Sequence, residues 1–329
     1  MKESKNKIRV DFERTPLKER LKAKFLNGNF FKNVVVKVFT YVLLVGISYV
    51  ILFPFFAKIS GSFMSREDFV DVTVKLIPKY PTLDTYKAII SENHYFEAVF
   101  NTFTLSVLCA LIQTFVCCVI GYGLAKFKFK GNKLIFFLVI FTMVVPHKTL
   151  QLSMFMKFRF FDVFGILELL TGEALNITNS YWPLALLSLG GLAFKNGLYI
   201  FMMRQFFSGV PDELEESAYI DGSGVFRTFL QIILPLSVPM MITIFLFAFS
   251  WQWTDNFYTN VFFTKSSTIL MPNIIGIPST LDTNYAAQNL YESAINNTCA
   301  LLILAPLLVM YVFLQRYLIG GIERSGIVG

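Results

Sequence analysis

An all-α, polytopic membrane helix bundle with six transmembrane helices is the fold class this sequence predicts, and three observations predict it. Hydrophobic residues make up 55% of the 329 residues and charged residues only 16%, with 37 Phe, whereas soluble chains carry about 25% charged residues. Uncharged runs recur: Val38–Ala57 and Ala98–Ala125 hold 20 and 28 residues without a charge, against the ~20 apolar residues that cross a hydrocarbon core. Basic residues gather between such runs, as in Lys126, Lys128, Lys130 and Lys133, with no acid among them. The formal charge of +7 therefore fits cytoplasmic loops enriched in Lys and Arg, not nucleic-acid binding.

The elements follow in order. Residues 1–32 form a basic N-terminal segment with ten Lys/Arg against four acids. Leu17, Leu21 and Phe25 recur along it, so a helix on an anionic membrane face and a solvated tail both fit. It is too long and too mixed in charge for a cleaved signal peptide, so the reading retains it. Residues 33–329 are the transmembrane domain. Its spans fall at about 34–57, 98–125, 134–156, 181–207, 236–254 and 293–315. Pro146 is placed to end or kink the third. External loops occupy 58–96, 157–180 and 255–290. Six spans put both termini on one side, and the basic N-terminus with the lysine cluster after span 2 makes that side the cytoplasm: N-in, C-in.

Residues 211–235, between spans 4 and 5, depart from the cytoplasmic pattern. Five acids face one base, Arg227. Pro211 suits the start of a helix, and Asp212, Glu213, Glu215 and Glu216 complement the positive end of its dipole. Asp221-Gly222-Ser223-Gly224 breaks that helix. Phe226, Phe229, Leu230 and Ile233 then repeat on one helical face, and Pro235 closes the unit. A loop needed only for anchoring would be basic; this one is built for a protein partner.

No catalytic chemistry is visible. There is no G-x-x-x-x-G-K-[ST] phosphate loop and no H-E-x-x-H. Two histidines, His94 and His147, and four cysteines inside apolar runs (Cys109, Cys117, Cys118, Cys299) give no metal-ligand spacing. The expectation is no catalytic residue, no metal and no bound cofactor. Lys195 lies nine residues before Arg204, ~13.5 Å deeper along a helix. A lysine there faces protein or a water-filled cavity, which makes it a candidate for a translocation path, unless a break at Asn196-Gly197 moves it. Trp253, Asn256 and Asn297 are weaker pathway candidates. An interfacial aromatic belt explains Trp251 and Trp253 as well, and helix–helix hydrogen bonds explain Asn101, Asn296 and Asn297.

Glu216-Ser217-Ala218, then Asp221-Gly222, then Ile233-Leu234-Pro235 resembles the EAA loop of bacterial ABC-importer permeases. Ser217 and Ser223 stand where that pattern has Ala. The flanks Arg204-Gln205-Phe206-Phe207, Trp253-Thr254-Asp255 and Gln315-Arg316-Tyr317 with Gly320-Gly321 are similar to the carbohydrate-importer branch, close to its maltose-type six-span subunit. The terminal Ser325-Gly326-Ile327-Val328-Gly329 lacks the Lys usual there. The likeness runs from about Phe53 to Gly321. It implies a cytoplasmic coupling helix-turn-helix in which Glu215, Glu216, Ser217, Ala218, Asp221, Gly222, Phe229 and Pro235 couple to an ATPase. Phe226, Phe229 and Leu230 would hold the loop to its own bundle. It also implies a second permease subunit (a heterodimer), two copies of a cytoplasmic ATPase that hydrolyses the ATP, an extracytoplasmic solute-binding protein, and a location in the bacterial cytoplasmic membrane among its lipids. A sugar or oligosaccharide is the implied solute. A permease for another solute, or a secondary transporter, is the alternative; one deep charge, Lys195, is little for ion coupling.

Overall fold

The computed structural model describes residues 28–163, 165–265, 268–284 and 287–326. The basic N-terminal repeat of Leu17, Leu21 and Phe25 lies outside them. The chain divides into two units, residues 1–60 and 61–329. In the first, helix α1 (Gly28–Ser62) runs for 35 residues, ~52 Å at 1.5 Å per residue. Its side chains from Phe31 to Phe56 are all exposed, and they are overwhelmingly apolar, as for a helix facing lipid or another chain.

In the second unit every element is helical; an isolated bridge between Phe161 and Leu175 is the one β pairing among the described residues. Short helices α2 (Arg66–Val70) and α3 (Asp84–Glu92) precede the central helix α4 (Tyr95–Lys126). Helix α4 packs against α9 (Asn196–Ser208) and α12 (Leu234–Trp253), and α12 packs against α14 (Gln288–Gly326). Without a hydrophobic drive between helices in lipid, close approach comes from small residues. Gly121 of α4 supplies it: a Cβ there would sit 2.5 Å from Met203 Cβ and 3.0 Å from the backbone nitrogen of Arg204. All four cysteines are free and buried.

Four helical stretches are long and apolar enough to cross a membrane, namely Phe31–Ser62, Tyr95–Lys126, Val225–Trp253 and Gln288–Gln315. Two of the expected spans are not straight. Residues 134–156 divide into α5 (Asn132–Val144) and, after a one-turn 3₁₀ helix at His147–Leu150, α6 (Gln151–Arg159), with a bend of 91° between the two halves. Val145 and Pro146 are extended there, because the residue before proline is pushed out of the helical region. The pair counts as a fifth crossing if the bent halves form one span. Residues 181–207 are not one helix either. Helix α8 (Trp182–Leu189), after the short α7 (Ile166–Thr171), stops at Gly190, and α9 restarts at Asn196. With 8 and 13 residues, neither half reaches the ~20 needed to span. The break falls one residue before the Asn-Gly pair: Lys195 itself is left-handed, with φ +68°.

Pro235 does not close the helix-turn-helix unit of residues 211–235. The helix runs on from α11 (Val225–Thr228) through a π turn at Phe229–Ile233 into α12. The wider turn accommodates the proline, which lacks a backbone donor, without breaking the helix. Helix α13 (Phe257–Phe262) and a 3₁₀ turn at Met271–Ile274 lie between α12 and α14.

Candidate functional site

The loop at residues 211–235 is built by local rules. Helix α10 (Glu213–Ile220) carries Glu213, Glu215 and Glu216 in its first turn, at the positive end of its dipole. It ends in a Schellman motif. Ser223 N–H donates to Ala218 O at 2.9 Å, Gly222 N–H donates to Tyr219 O at 3.0 Å, and Gly222 has φ +83°, a conformation glycine adopts without steric cost.

Glu215 and Ala218 turn inward and are buried, while Glu216, Ser217, Asp221 and Gly222 are exposed. Ala218 therefore packs on its own chain and does not face a partner. Glu215 Oε1 is buried with no hydrogen-bond partner. The outward surface is more apolar than the acids suggest: Ile220 is 86% and Phe226 74% exposed, flanked by Leu214, Tyr219 and Val225. Phe226 and Leu230 do not anchor the loop, as the regular spacing had suggested. Thr228, Phe229 and Ile233 are the buried positions, because the π turn alters which residues face inward. Phe229 meets the ring of Tyr122 on α4 at 4.8 Å, and Tyr122 meets Phe207 on α9 at 5.5 Å.

Lys126, the last residue of α4, ties down the near end of the loop. Its ammonium donates to Val210 O at 2.7 Å and to the Asp212 carboxylate at 2.5 Å. The lysine side chain is only 7% exposed, the aspartate 76%. That hydrogen bond, more than the charge alone, holds the Asp212 carboxyl below its ordinary value. In the sequence Lys126 reads as one member of a basic cluster. Only the position of Val210 across the fold gives it this second role.

A second site lies where the α5–α6 bend meets the α8–α9 break. Val145, His147 and Leu150 at the bend, with Gly191 to Leu198 at the α8–α9 break, line a cavity of ≈ 370 Å³. Irregular backbone at membrane depth is tolerated only when buried in protein or lining a cavity, and here both breaks line the same one. Lys195 sits on its wall, its ammonium 4.8 Å from the ring centre of Phe194 and 4.9 Å from that of Trp251 on α12. His147 Nδ1 lies 3.3 Å from the Tyr258 hydroxyl.

The other pathway candidates are not in this group. Trp253 is 1% exposed and its indole N–H donates to Ile303 O at 2.9 Å, so it presents no face for a solute to stack on. Trp251, two positions earlier on the helix, is the half-exposed tryptophan beside Lys195. Asn256 is exposed and accepts from Asn260 at 2.8 Å. Asn297 lies half-buried on α14.

Lipid-length helices, a break-lined cavity and a loop projecting apolar residues from a helix continuous with α12 together define a membrane transport subunit. Residues 118–324 match the family described as the binding-protein-dependent transport system inner membrane component, and the chain belongs to that family. It is similar to the galactooligosaccharides transport system permease protein GanQ of Bacillus subtilis (strain 168), 28% identical over 300 residues, covering 88% of this chain and 95% of that one. It is also similar to the maltodextrin transport system permease protein MalD of Streptococcus pneumoniae, 28% identical over 292 residues, covering 87% and 94%. Its fold resembles a chain from the crystal structure of a bacterial ABC transporter involved in the import of the acidic polysaccharide alginate. That match has a TM-score of 0.65 at 17% identity and covers 87% of this chain and 97% of that one.

Proposed function

We propose that this chain is a permease subunit of a bacterial ATP-binding-cassette importer and forms half of the translocation path for a sugar or oligosaccharide. The family match carries the reading, and the near full-length likeness to sugar-transport permeases supports the solute class. In this reading the chain crosses the cytoplasmic membrane six times, counting α8–α9 as one broken span, with both termini inside. A second permease subunit completes the path, two copies of a separate ATPase hydrolyse ATP, and an external binding protein delivers the solute.

The loop at residues 211–235 is the coupling element. Ile220 and Phe226 supply apolar contact to the ATPase, with Glu216, Ser217, Asp221 and Gly222 around them. Glu215, Ala218 and Phe229 seat the loop on its own bundle. Pro235, inside a continuous helix, lets a push on the loop pass directly into α12. Glu216→Lys and Gly222→Val, each tested in the assembled transporter, should lower ATPase co-purification and uptake by about tenfold or more, the scale of losing a docking contact of ~1.4 kcal/mol. Undiminished association and uptake in both variants would refute the assignment.

A further inference from the structure

We propose that the cavity around Lys195 is a subsite for the carboxylate of an acidic sugar, so that the solute is a uronate-containing oligosaccharide. This rests on the permease reading above.

Four observations carry it. No acidic side chain among the described residues lies within ion-pair distance of Lys195. Its ammonium instead lies within cation–π range, about 6 Å, of both Phe194 and Trp251. Those rings hold the cation in place and leave its charge unneutralised, and an uncompensated charge at this depth attracts an anion. Next to it, Asn196 is 1% exposed, lines the cavity, and has neither its amide nitrogen nor its amide oxygen in a hydrogen bond. That unpaired amide serves a carboxylate or hydroxyl once it turns toward the cavity, both its polar atoms being closed to solvent in this conformation. Finally, Lys195 occupies the left-handed region without being glycine, and such strain collects at functional sites.

The charge count favours a sugar acid over a phosphate. One ammonium balances the single charge of a uronate, whereas a phosphate dianion would leave excess negative charge in a largely apolar cavity. The volume is within the ~300–1,000 Å³ of small-molecule sites, and the aromatic faces of Phe194 and Trp251 suit a sugar ring. Helix α9 places the site 13 residues, ~20 Å, from the cytoplasmic loop, inside the bilayer.

The test uses the complete importer, with its partner permease, ATPase and binding protein, in nanodiscs. Probes are matched acidic and neutral trisaccharides, the acidic member carrying a single uronate: galacturonosyl-galactobiose with galactotriose, and mannuronosyl-mannobiose with mannotriose. ATPase stimulation is titrated for each, and the acidic-to-neutral preference is compared between wild type and Lys195→Met. The binding protein's own selectivity cancels in that comparison. The expected result is stimulation by an acidic probe in the wild type, and a preference at least about tenfold lower in Lys195→Met, as for truncating one partner of a buried charge pair. Trp251→Ala should shift it the same way, and both variants should co-purify with the full complex. Stimulation by a neutral probe alone, or an unchanged preference in Lys195→Met, overturns the carboxylate subsite and leaves the sugar-permease reading standing. No stimulation by any probe counts against both. Nanodiscs with and without anionic lipid form the last arm: if Lys195→Met abolishes a lipid response and spares the sugar preference, the anion is a lipid phosphate and the proposal fails.

Discussion

Replacing Lys126 by Met should loosen the loop at residues 211–235 without altering its sequence. Met keeps most of the aliphatic stem, so packing at the end of α4 is retained while the two hydrogen bonds are lost. The bond to Val210 O is charge-assisted and sits where the lysine side chain is 7% exposed. Such bonds contribute about 1.5–3 kcal/mol. The contact to the exposed Asp212 adds little, because solvent screens it. If the loop opens locally, a loss of that size raises the open population about 10- to 150-fold, at ~1.4 kcal/mol per decade. Hydrogen–deuterium exchange of the amides between 213 and 223, read by mass spectrometry on the purified transporter, measures this directly. Protection within about twofold of wild type would show that Lys126 does not hold the loop. So would an Asp212→Asn variant that exchanges faster than Lys126→Met, since the argument assigns the larger share to the Val210 carbonyl.

Two further outcomes follow from the same geometry. Because Lys126 depresses the Asp212 carboxyl below its ordinary 3.8, the ion pair contributes above that value and is lost as pH falls through the lower folded one. Because the Val210 bond remains, anisotropy of a fluorophore attached at position 223 should stay level from pH 7 to 5 and fall only slightly below about pH 4, and that small step should vanish in Lys126→Met. At the α4–α9 contact, Gly121→Leu should destabilise the complex by about 1–3 kcal/mol through overpacking. Gly123→Ala, whose nearest atom would be 4.0 Å away, should leave thermal unfolding unchanged; equal effects of the two would remove the close-packing argument.

Much of this was legible along the chain. Uncharged length marks the membrane segments, because lipid cannot solvate charge. The loop's acids, its Asp-Gly turn and its glycine-dependent helix end are local chemistry, and they read correctly from spacing alone. The anchoring face did not. Phe226 and Leu230 fit the helical repeat, yet the π turn before Pro235 gives the buried positions to Thr228, Phe229 and Ile233. The straightness of spans also escaped the sequence. Pro146 announced one bend and Asn196-Gly197 a break close to the second, but nothing in the apolar run from 181 to 194 required the stop at Gly190.

The pathway candidates divide the same way. Lys195 was visible because a charge inside an apolar run stands out whatever the fold. Choosing between Trp251 and Trp253 was not possible without it: two positions on a helix point nearly opposite ways, and only the packing of α12 against α14 decides which is buried. By itself, then, the sequence determined the membrane class, the position of the acidic loop along the chain and the presence of a cation inside an apolar run, because each depends on composition or near-neighbour chemistry. The tertiary structure alone decided that Lys126 clamps the loop and that two helix breaks close one cavity around Lys195. Those contacts join residues far apart in the chain, such as Lys126 with Val210 and Lys195 with Trp251, and no local pattern encodes such distances.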